Sequence, residues 1–193
     1  MVGSGADVWG TIDDFHFAGK KLKGDGSITV RIESLENVHE WTKAGVMFRS
    51  TLEPDSSNAM LLATPSGRLS LQYRRADNEA SYSAYTDPNT MQLPHWLHLI
   101  RQGNRFTALH SSDGATWEDV LFGSDQRITI EIPMDQTVYV GLAVTSHDVT
   151  KTAEARTSHV ATTGNVSPPG PFTESQNIRF QLPPSPNAAV GNK

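Results

Sequence analysis

The sequence has no cysteine, which excludes disulfide bonds, thiolate metal sites and a cysteine nucleophile. It has no apolar stretch long enough to span a bilayer, so we expect no membrane insertion. Its 16 basic residues are outnumbered by 21 acidic ones, and the formal net charge is −5. Because phosphate neutralisation needs clustered Lys and Arg, and no basic run occurs, we expect no nucleic-acid partner.

Helical periodicity is also missing. No window of helical length repeats every 3.6 residues, and the best helical candidate, TKTAEARTS (150–158), lacks the apolar residues of a packed face. A period of two is frequent instead, in GSITVRIESL (26–35), KAGVMFRS (43–50), GRLSLQYRR (67–75), HWLHLIRQ (95–102) and QTVYVGLAVTSH (136–147). Between the strands we read KGDG, EPDSS, TPSG and RQGN as turns. About ten short strands predict an all-β antiparallel sandwich or barrel.

The alternation assigns side chains to strand faces. One face of the strand at 43–49 carries Ala44, Val46 and Phe48, and the other carries Lys43, Gly45, Met47 and Arg49. In the strand at 138–147, one face carries Val138, Val140, Leu142 and Val144, and the other carries Gly141, Ala143, Thr145 and His147.

The composition changes past residue 160, since six of the 11 prolines fall within 168–186. Proline-rich segments cannot form central strands, although NIRFQL (177–182) could form a last edge strand. We therefore predict one β-sandwich domain over residues 1–180, followed by a Pro-rich tail or linker over 181–193.

The segment SSDGATW (111–117) resembles the Asp-box of sialidases, but its spacing is one residue short and it occurs once. Asp113-Gly114 is typical of a type I′ hairpin turn, since Gly supplies a positive φ at little cost. We interpret the segment as a turn over which Trp117 folds back. Trp96 and Trp117 are accordingly assigned structural roles.

Five segments in this order carry a resemblance to a known family: GADVWGTIDDFHF (5–17), WTKAGVMFRS (41–50), LSLQYRR (69–75), HWLHLIRQGNRFTALHSSDGATW (95–117) and TVYVGLAVTSH (137–147). They resemble concanavalin A-like (laminin G-like) jelly-roll domains of the DUF1349-like, or "regulation of enolase", type. Such domains occur in large secreted or surface proteins of planctomycetes and related bacteria. The resemblance covers residues 5–180 and implies a two-sheet antiparallel β-sandwich.

The resemblance also implies a context and a groove. We expect an extracellular, cell-surface or periplasmic location, a targeting segment outside this chain, and a place within a larger multidomain protein. In this fold the strands at 43–49 and 138–147 are neighbours on a concave sheet. Gly45, Gly141 and Ala143 would then leave a groove floor, and relatives with this fold bind carbohydrate in such a groove or at its rim.

The candidate ligand-binding residues are Trp9, His16, Trp41, Lys43, Arg49, Gln72, Arg74 and His147. An aromatic face can cover the apolar face of a pyranose, and the forked donors of Arg suit hydroxyl pairs or carboxylates. An anionic polysaccharide is therefore a plausible ligand. The alternatives are core or edge aromatics, an internal ion-pair network and structural histidines. Tyr73, in phase with Leu69 and Leu71, is expected in the core.

A structural Ca²⁺ is a possible cofactor. Asp7, Asp13, Asp14 and Asp25 lie near the N-terminal strands, and hard cations bind carboxylate oxygens. No D-x-D-x-D-G loop occurs, however, and aspartate is an ordinary turn former. No H-E-x-x-H spacing indicates zinc.

The sequence favours a non-catalytic binding module with carbohydrate as the leading ligand. Glycoside hydrolases on this fold hold paired carboxylates on one concave strand. Here the nearest acidic spacing is Glu33 and Glu36, which would point to opposite faces of a strand. The alternatives are a structural or protein-interaction module of a large surface protein, and a glycan-active enzyme with an unrecognised site.

Overall fold

The computed structural model describes residues 1–122, 126–127, 129–172 and 175–179, and within these ranges the chain is all β, with no helix. A helix long and apolar enough to cross a membrane is therefore not found in the described part of the chain. The strands are β1 (Val2–Gly3), β2 (Phe15–Leu35), β3 (Lys43–Arg49), β4 (Asn58–Ala63), β5 (Leu69–Arg74), β6 (Tyr82–Tyr85), β7 (His95–Gln102), β8 (Arg105–Ser111), β9 (Glu118–Asp119), β10 (Leu121–Phe122), β11 (Gln126–Arg127), β12 (Ile130–Glu131), β13 (Thr137–Thr145), β14 (Ala153–Ser167) and β15 (Gln176–Ile178).

One curled antiparallel sheet forms both layers of the molecule, in the strand order β12-β8-β7-β2-β13-β3-β4-β5-β6. Strand β2 is 21 residues long. Its residues 16–23 pair with β13, and its residues 26–32 pair with β7. The long strand therefore passes from one layer to the other, while β14 follows its opposite edge. The result is an all-β, antiparallel jelly-roll β-sandwich, which confirms the predicted fold class.

The main core lies between the two layers. It includes Val46 and Phe48 from β3 and Leu97 and Leu99 from β7, all fully buried. Phe48 meets Phe106 of β8 with the ring centroids 5.6 Å apart. Burial of apolar area at about 25 cal/mol per Å² makes this contact between layers the principal stabilising interaction of the fold.

The register of β3 and β13 confirms the faces predicted from alternation. It pairs Lys43 with Thr145, Gly45 with Ala143, Met47 with Gly141 and Arg49 with Tyr139. Since β3, β4 and β5 are also in register, the same face continues across them to β6. We call this the outer face of β3, because the main core lies on its other side.

One local interpretation was wrong, and one strand was not foreseen. KGDG (23–26) is not a turn between strands, because β2 runs through it, with Gly24 at a φ of 81°. Most of segment 150–158 is the start of β14, a strand that the sequence did not indicate. There Ala153 and Ala155 are fully buried and alternate with exposed polar residues. The predicted edge strand near 177 is seen as β15, whereas the predicted tail at 181–193 lies outside the described residues.

The segment at 111–117 forms a turn with a structural role. The carboxylate of Asp113 accepts hydrogen bonds from the backbone N–H of Ala115 and Thr116, both 2.8 Å, and from the Ser111 hydroxyl, 2.9 Å. These bonds to the charged form lower the pKa of Asp113 to about 2. Gly114 has a φ of 75° but Asp113 does not have a positive φ, so the turn is not the predicted type I′.

The two tryptophans assigned structural roles pack together on the other layer. Trp117 contacts the edge of Trp96, with ring centroids 6.4 Å apart. A Cβ added at Gly114 would lie 2.6 Å from the Trp96 ring, so the turn needs a glycine at this close approach. Tyr73 packs against the main core, as predicted, and stacks on Tyr82 at 5.5 Å.

Candidate functional site

A loop formed by residues 7–14 crosses the outer face of β3. We call it the N-terminal loop. Its base is closed by a bridge between Asp7 and Asp14, where the Asp14 N–H donates to the Asp7 carbonyl at 2.7 Å. At its tip the Gly10 carbonyl accepts a hydrogen bond from the N–H of Ser81, 2.8 Å away. Ser81 immediately precedes β6, so the loop reaches to the far edge of this layer.

The loop contributes Asp13, whose side chain meets Arg49 and Arg74 beneath it; all three residues are fully buried, and we call them the Asp13 cluster. Asp13 Oδ1 lies 2.7 Å from Arg74 Nη2, and its Oδ2 lies 3.4 Å from Arg49 Nη1. Arg49 Nε also donates to the Thr51 carbonyl at 2.7 Å, and Arg74 Nη1 to the Ser56 carbonyl at 2.9 Å. Burial raises the pKa of the Asp13 carboxyl, and the two guanidinium groups oppose that rise.

The Asp13 cluster corrects the prediction that Arg49 and Arg74 line a groove. Both side chains are 0 % exposed, so neither can contact a ligand in this conformation. Arg49 and Arg74 instead form an internal ion-pair network, which the sequence analysis gave as the alternative. Alternation had placed them on the correct face, but the N-terminal loop covers that part of the face.

The expected groove floor is also filled. Met47, Met60, Leu62 and Phe17 form a second buried apolar cluster on the outer face of β3. Gly45 does not open a hollow, because a Cβ there would lie 2.1 Å from the Leu61 carbonyl oxygen. A Cβ added at Gly141 would likewise lie 2.1 Å from the Ala18 carbonyl oxygen. Glycine occurs at these two positions because neighbouring backbones approach closely there. The groove hypothesis had explained the same glycines by an open groove floor.

A pocket of about 350 Å³ remains on this face, beside the N-terminal loop. We call it the aromatic pocket; its lining residues are Asp7, Trp9, Trp41, Lys43, Gln72, Ser83, Tyr85 and His147. The structure thus brings together five of the eight predicted ligand-binding residues. Whether they bind a ligand stays a prediction.

The walls of the aromatic pocket are exposed rings. Trp9 is 44 % and Tyr85 51 % exposed, although both are large apolar side chains. Trp41 contacts Tyr85 edge to face, with the ring centroids 5.7 Å apart. The Arg68 guanidinium lies over both rings, 5.7 Å from Trp41 and 5.6 Å from Tyr85. Its Nη1 donates to the Thr86 carbonyl at 2.9 Å, which fixes the guanidinium in this position.

The floor of the aromatic pocket is polar. Lys43 is almost fully buried and forms an ion pair with Asp7. Burial lowers the pKa of Lys43, and the Asp7 carboxylate opposes that shift. His147 Nδ1 lies 3.3 Å from Asp7 Oδ2 but is not aligned for a hydrogen bond. Burial also lowers the pKa of His147, against the attraction of Asp7, so the ring is neutral at neutral pH.

Gln72 projects from β5 into the aromatic pocket. The residue is only 4 % exposed, and its buried Oε1 has no hydrogen-bond partner in the protein. An unpaired buried acceptor costs about 1–3 kcal/mol, so such groups are rare in folded proteins. A ligand that donates a hydrogen bond here would remove that cost.

His16 does not reach the aromatic pocket. It pairs with Val144 across the sheet, and so points to the opposite face from Phe17, which pairs with Ala143. Its Nδ1 lies 2.9 Å from Asn177 Oδ1. The position of His16 agrees with a structural histidine, which the sequence analysis gave as the alternative.

Sequence reasoning missed Tyr85, Ser83 and the role of Asp7. Asp7 was considered only as a metal ligand. Ser83 and Tyr85 lie on the same face of β6 as each other, in YSAY, a short alternating segment. Extending the alternation of the neighbouring strands to this segment could have identified both residues.

The four aspartates proposed for Ca²⁺ do not converge. Asp7 and Asp13 form the ion pairs described above, Asp14 Oδ2 accepts from the Ala6 N–H at 3.2 Å, and Asp25 Oδ1 accepts from the Gly103 N–H at 2.7 Å. No group of three or more His, Asp or Glu side chains within the described ranges could hold a metal ion. The residues therefore do not fit the expected calcium site.

Comparisons with known proteins support the fold, and they show neither a family nor a function. No protein-family model and no curated protein matches the chain. A functionally unknown protein from Saccharomyces cerevisiae is similar in structure, with a TM-score of 0.65 and 18 % identity, over 84 % of this chain and 85 % of that one. At this identity the likeness shows a shared fold.

Two other solved structures are less similar. A xylan β-1,4-xylosidase from Bacillus halodurans C-125 matches with a TM-score of 0.49 and 16 % identity, over 72 % of this chain and 27 % of that one. The carbohydrate-binding module CBM66 from Bacillus subtilis matches with a TM-score of 0.41 and 14 % identity, over 77 % of this chain and 74 % of that one. The fold and the site together define a jelly-roll β-sandwich with an aromatic-walled, polar-floored pocket on the outer face of β3.

Proposed function

We propose that this chain is a non-catalytic carbohydrate-binding module and that the aromatic pocket is its ligand site. The observation that carries the proposal is the combination of exposed rings with a buried, unpartnered amide oxygen on Gln72. Ligand sites are typically concave, largely apolar, and carry a few placed polar groups. The aromatic pocket fits that description, at the small end of the usual range of about 300–1,000 Å³.

A sugar ring has the complementary chemistry. One face of a pyranose presents C–H groups, which can cover the faces of Trp9, Trp41 or Tyr85. Its hydroxyls each donate and accept a hydrogen bond. A hydroxyl can therefore pair with the Gln72 amide in either orientation, and other hydroxyls can pair with Ser83 and Asp7.

The non-catalytic part of the proposal depends on the charges in the aromatic pocket. Glycoside hydrolysis uses two carboxylates that flank one bond. Asp7 is the one carboxylate among the described lining residues, and it is already paired with Lys43. Because Asp7 is ion-paired and has no second carboxylate beside it among these lining residues, we infer that it accepts a hydrogen bond from a ligand hydroxyl and does not act in catalysis.

A glycan array followed by titration calorimetry tests the proposal. We expect saturable binding by the wild type that is lost in Trp9→Ala and Trp41→Ala. Trp117→Ala is the matched control, because Trp117 packs on Trp96 in the other layer and should leave binding unchanged. Absence of binding to diverse glycans, with specific capture of a protein partner, would favour the interaction module. Release of reducing ends from a polysaccharide would favour the enzyme.

Three finer points remain proposals supported by the sequence resemblance. The chain would belong to the DUF1349-like type, with residues 1–180 as one domain and 181–193 as a tail or linker. It would form part of a larger multidomain protein. Its location would be extracellular, cell-surface or periplasmic. Limited proteolysis followed by mass spectrometry tests the domain boundary, since cleavage should concentrate beyond residue 180.

A further inference from the structure

A second pocket adjoins the aromatic pocket. It has a volume of about 570 Å³ and shares Tyr85 with the aromatic pocket. We call it the edge pocket; besides Tyr85, its lining residues include Thr86, Asp87, His110, Glu118 and Leu121. Strand β6 lies at one end of the curled sheet, and β8 with its partner β9 lies near the other end. The edge pocket therefore lies where the two ends of the sheet face each other.

Tyr85 stands at the boundary between the two pockets. Its side chain is 51 % exposed, and its ring contacts Trp41 on the side of the aromatic pocket. An exposed aromatic ring can cover the apolar face of a sugar unit. Because the same ring lines both pockets, it offers a stacking surface that leads from one pocket into the other.

The chain is firmly held at this boundary. The Thr86 N–H donates to the Leu69 carbonyl at 2.9 Å, and the Thr86 hydroxyl accepts from the Leu69 N–H at 3.0 Å. Arg68 Nη1 donates to the Thr86 carbonyl at 2.9 Å, while its guanidinium lies over the Tyr85 ring at 5.6 Å. The two pockets are therefore preformed where they meet, and a ligand does not have to order this segment.

The edge pocket combines apolar and polar groups, as the aromatic pocket does. Leu121 is 45 % exposed and adds apolar surface to that of Tyr85. The carboxylates of Asp87 and Glu118 can accept hydrogen bonds from hydroxyls. On the opposite wall, His110 is fixed by stacking on His95, with the ring centroids 5.2 Å apart. These groups suit a further sugar unit.

Building on the proposed carbohydrate-binding function, we propose that the ligand site extends from the aromatic pocket across Tyr85 into the edge pocket and takes a run of several linked sugar units. One unit lies over Trp41 beside the unpartnered Gln72 oxygen, and the following units cross Tyr85 to reach Glu118. Covalently linked units bind adjoining subsites together more tightly than either subsite binds one unit. The affinity should therefore depend on chain length.

A length series tests this inference. We would titrate the wild type with gluco-, manno-, xylo- and galacturono-oligosaccharides, from the monosaccharide to the hexasaccharide. For the series that binds, we expect the Kd to fall by about tenfold or more between the monosaccharide and the tetrasaccharide. A Kd that stays within about threefold from the monosaccharide to the hexasaccharide would show a site for one unit and would overturn the inference.

Glu118→Ala tests where the extra units bind. Glu118 is exposed and lines the edge pocket but not the aromatic pocket. The variant should bind the monosaccharide as the wild type does and the tetrasaccharide about tenfold more weakly. Glu131→Ala is the matched control, since this exposed glutamate on β12 lines neither pocket. If Glu118→Ala keeps the full gain with length, the ligand leaves the aromatic pocket by another side and the inference is refuted.

Trp41→Ala separates this inference from the proposed function on which it rests. It should weaken binding at every length, because Trp41 belongs to the aromatic pocket alone. If the wild type binds no glycan in any series, the proposed function and the inference both fail. Binding with the same Kd at all lengths would leave the proposed function standing and refute only the inference.

Discussion

The two ends of the outer face of β3 carry similar basic side chains, but one end is buried and the other borders an open pocket. Lys43 and Arg49 lie on the same face of one strand, six positions apart. At the Arg49 end, the N-terminal loop supplies Asp13, and all charges are buried and paired. At the Lys43 end, the same loop supplies Asp7, but exposed rings and the unpartnered amide oxygen of Gln72 border an open pocket.

The difference shows what the loop does for each end. Asp7, Trp9 and Asp13 all belong to the loop, but the Asp13 side chain is fully buried against the sheet, whereas Asp7 is partly exposed and Trp9 is 44 % exposed beside the aromatic pocket. Charged groups buried in pairs favour one well-defined arrangement, but they are weak evidence of net stabilisation. We call the Arg49 end of this face the covered end and the Lys43 end the open end. The open end keeps polar groups that the protein itself does not satisfy. The covered end should therefore govern the stability of the fold, and the open end should govern ligand binding.

We expect the largest change, a loss of stability, from removing the Asp13 carboxylate at the covered end. Asp13→Ala leaves Arg49 and Arg74 buried without a counter-charge, and we expect the free energy of unfolding to fall by about 3–5 kcal/mol. Urea denaturation followed by tryptophan fluorescence measures the change. Asp25→Ala is the control, since Asp25 accepts one hydrogen bond from an exposed loop N–H and should cost far less. A loss below about 1 kcal/mol for Asp13→Ala would show that the arginines find other partners.

At the open end, Gln72→Met should separate stability from binding. Removing a buried amide whose oxygen has no partner in the protein should stabilise the free protein by about 1 kcal/mol. The same change should weaken glycan binding by about tenfold or more, since the ligand loses a hydrogen bond. Thermal unfolding and calorimetry measure the two effects. Gln102→Met, at the exposed end of β7, should change neither. A destabilised Gln72→Met protein would indicate that the amide is satisfied in solution.

A smaller effect is expected at the rim. Arg68→Met removes the guanidinium that lies over Trp41 and Tyr85, and an exposed interaction of this kind is worth about 0.5–1 kcal/mol. We expect glycan affinity to fall by about two- to fivefold. Arg75→Met is the matched control, because its guanidinium lies 5.2 Å from the Tyr73 ring and 5.5 Å from the Tyr82 ring, neither of which lines the aromatic pocket. Equal losses in both variants would assign the effect to general surface charge.

The smallest effect concerns pH at the open end. Burial lowers the pKa of His147 below its usual value near 6.5, so the folded state disfavours its protonation relative to the unfolded state. The contribution of His147 to stability is therefore complete above about pH 6.5 and is lost as the pH falls from there towards the lowered pKa. Unfolding free energies at about pH 7.5 and pH 5 should differ less in His147→Asn than in the wild type.

Asn suits this position because His147 has a φ of 59°, which Asn tolerates. Burial also lowers the pKa of His95, to about 4, in the other layer, so the wild type and the variant share a larger acid-induced loss. The difference between them isolates His147. An identical pH dependence in the two proteins would show that His147 is freely hydrated.

Strand faces were predictable from the sequence because alternation is a local property. That β3 and β13 are neighbours sharing one face followed from the resemblance to jelly-roll domains, and their register pairs Met47 with Gly141 and Gly45 with Ala143. The cover over the Arg49 end was not predictable. It depends on Asp13 meeting Arg49, 36 positions away, and Arg74, 61 positions away, and nothing in the local pattern of either segment indicates that encounter.

The pocket itself was predictable in part for the same reason. Lys43, Gln72 and His147 were found because they lie on strands or strand ends with clear alternation, and Trp41 because it precedes such a strand. Tyr85 was missed because β6 is four residues long, too short for its own pattern to be evident. The length of β2 was missed because Gly24 and Gly26 are typical of turns, although here the strand passes through them.

The four tryptophans offer the most direct test of the central claim, that the ligand site is at the open end of the outer face of β3. Their indole N–H signals are resolved in a ¹⁵N–¹H correlation spectrum, with Trp9 and Trp41 in the aromatic pocket and Trp96 and Trp117 in the other layer. Titration with an oligosaccharide selected on the array should shift the first pair saturably and leave the second pair in place. Shifts confined to Trp96 and Trp117, or no shift in any of the four, would contradict the account.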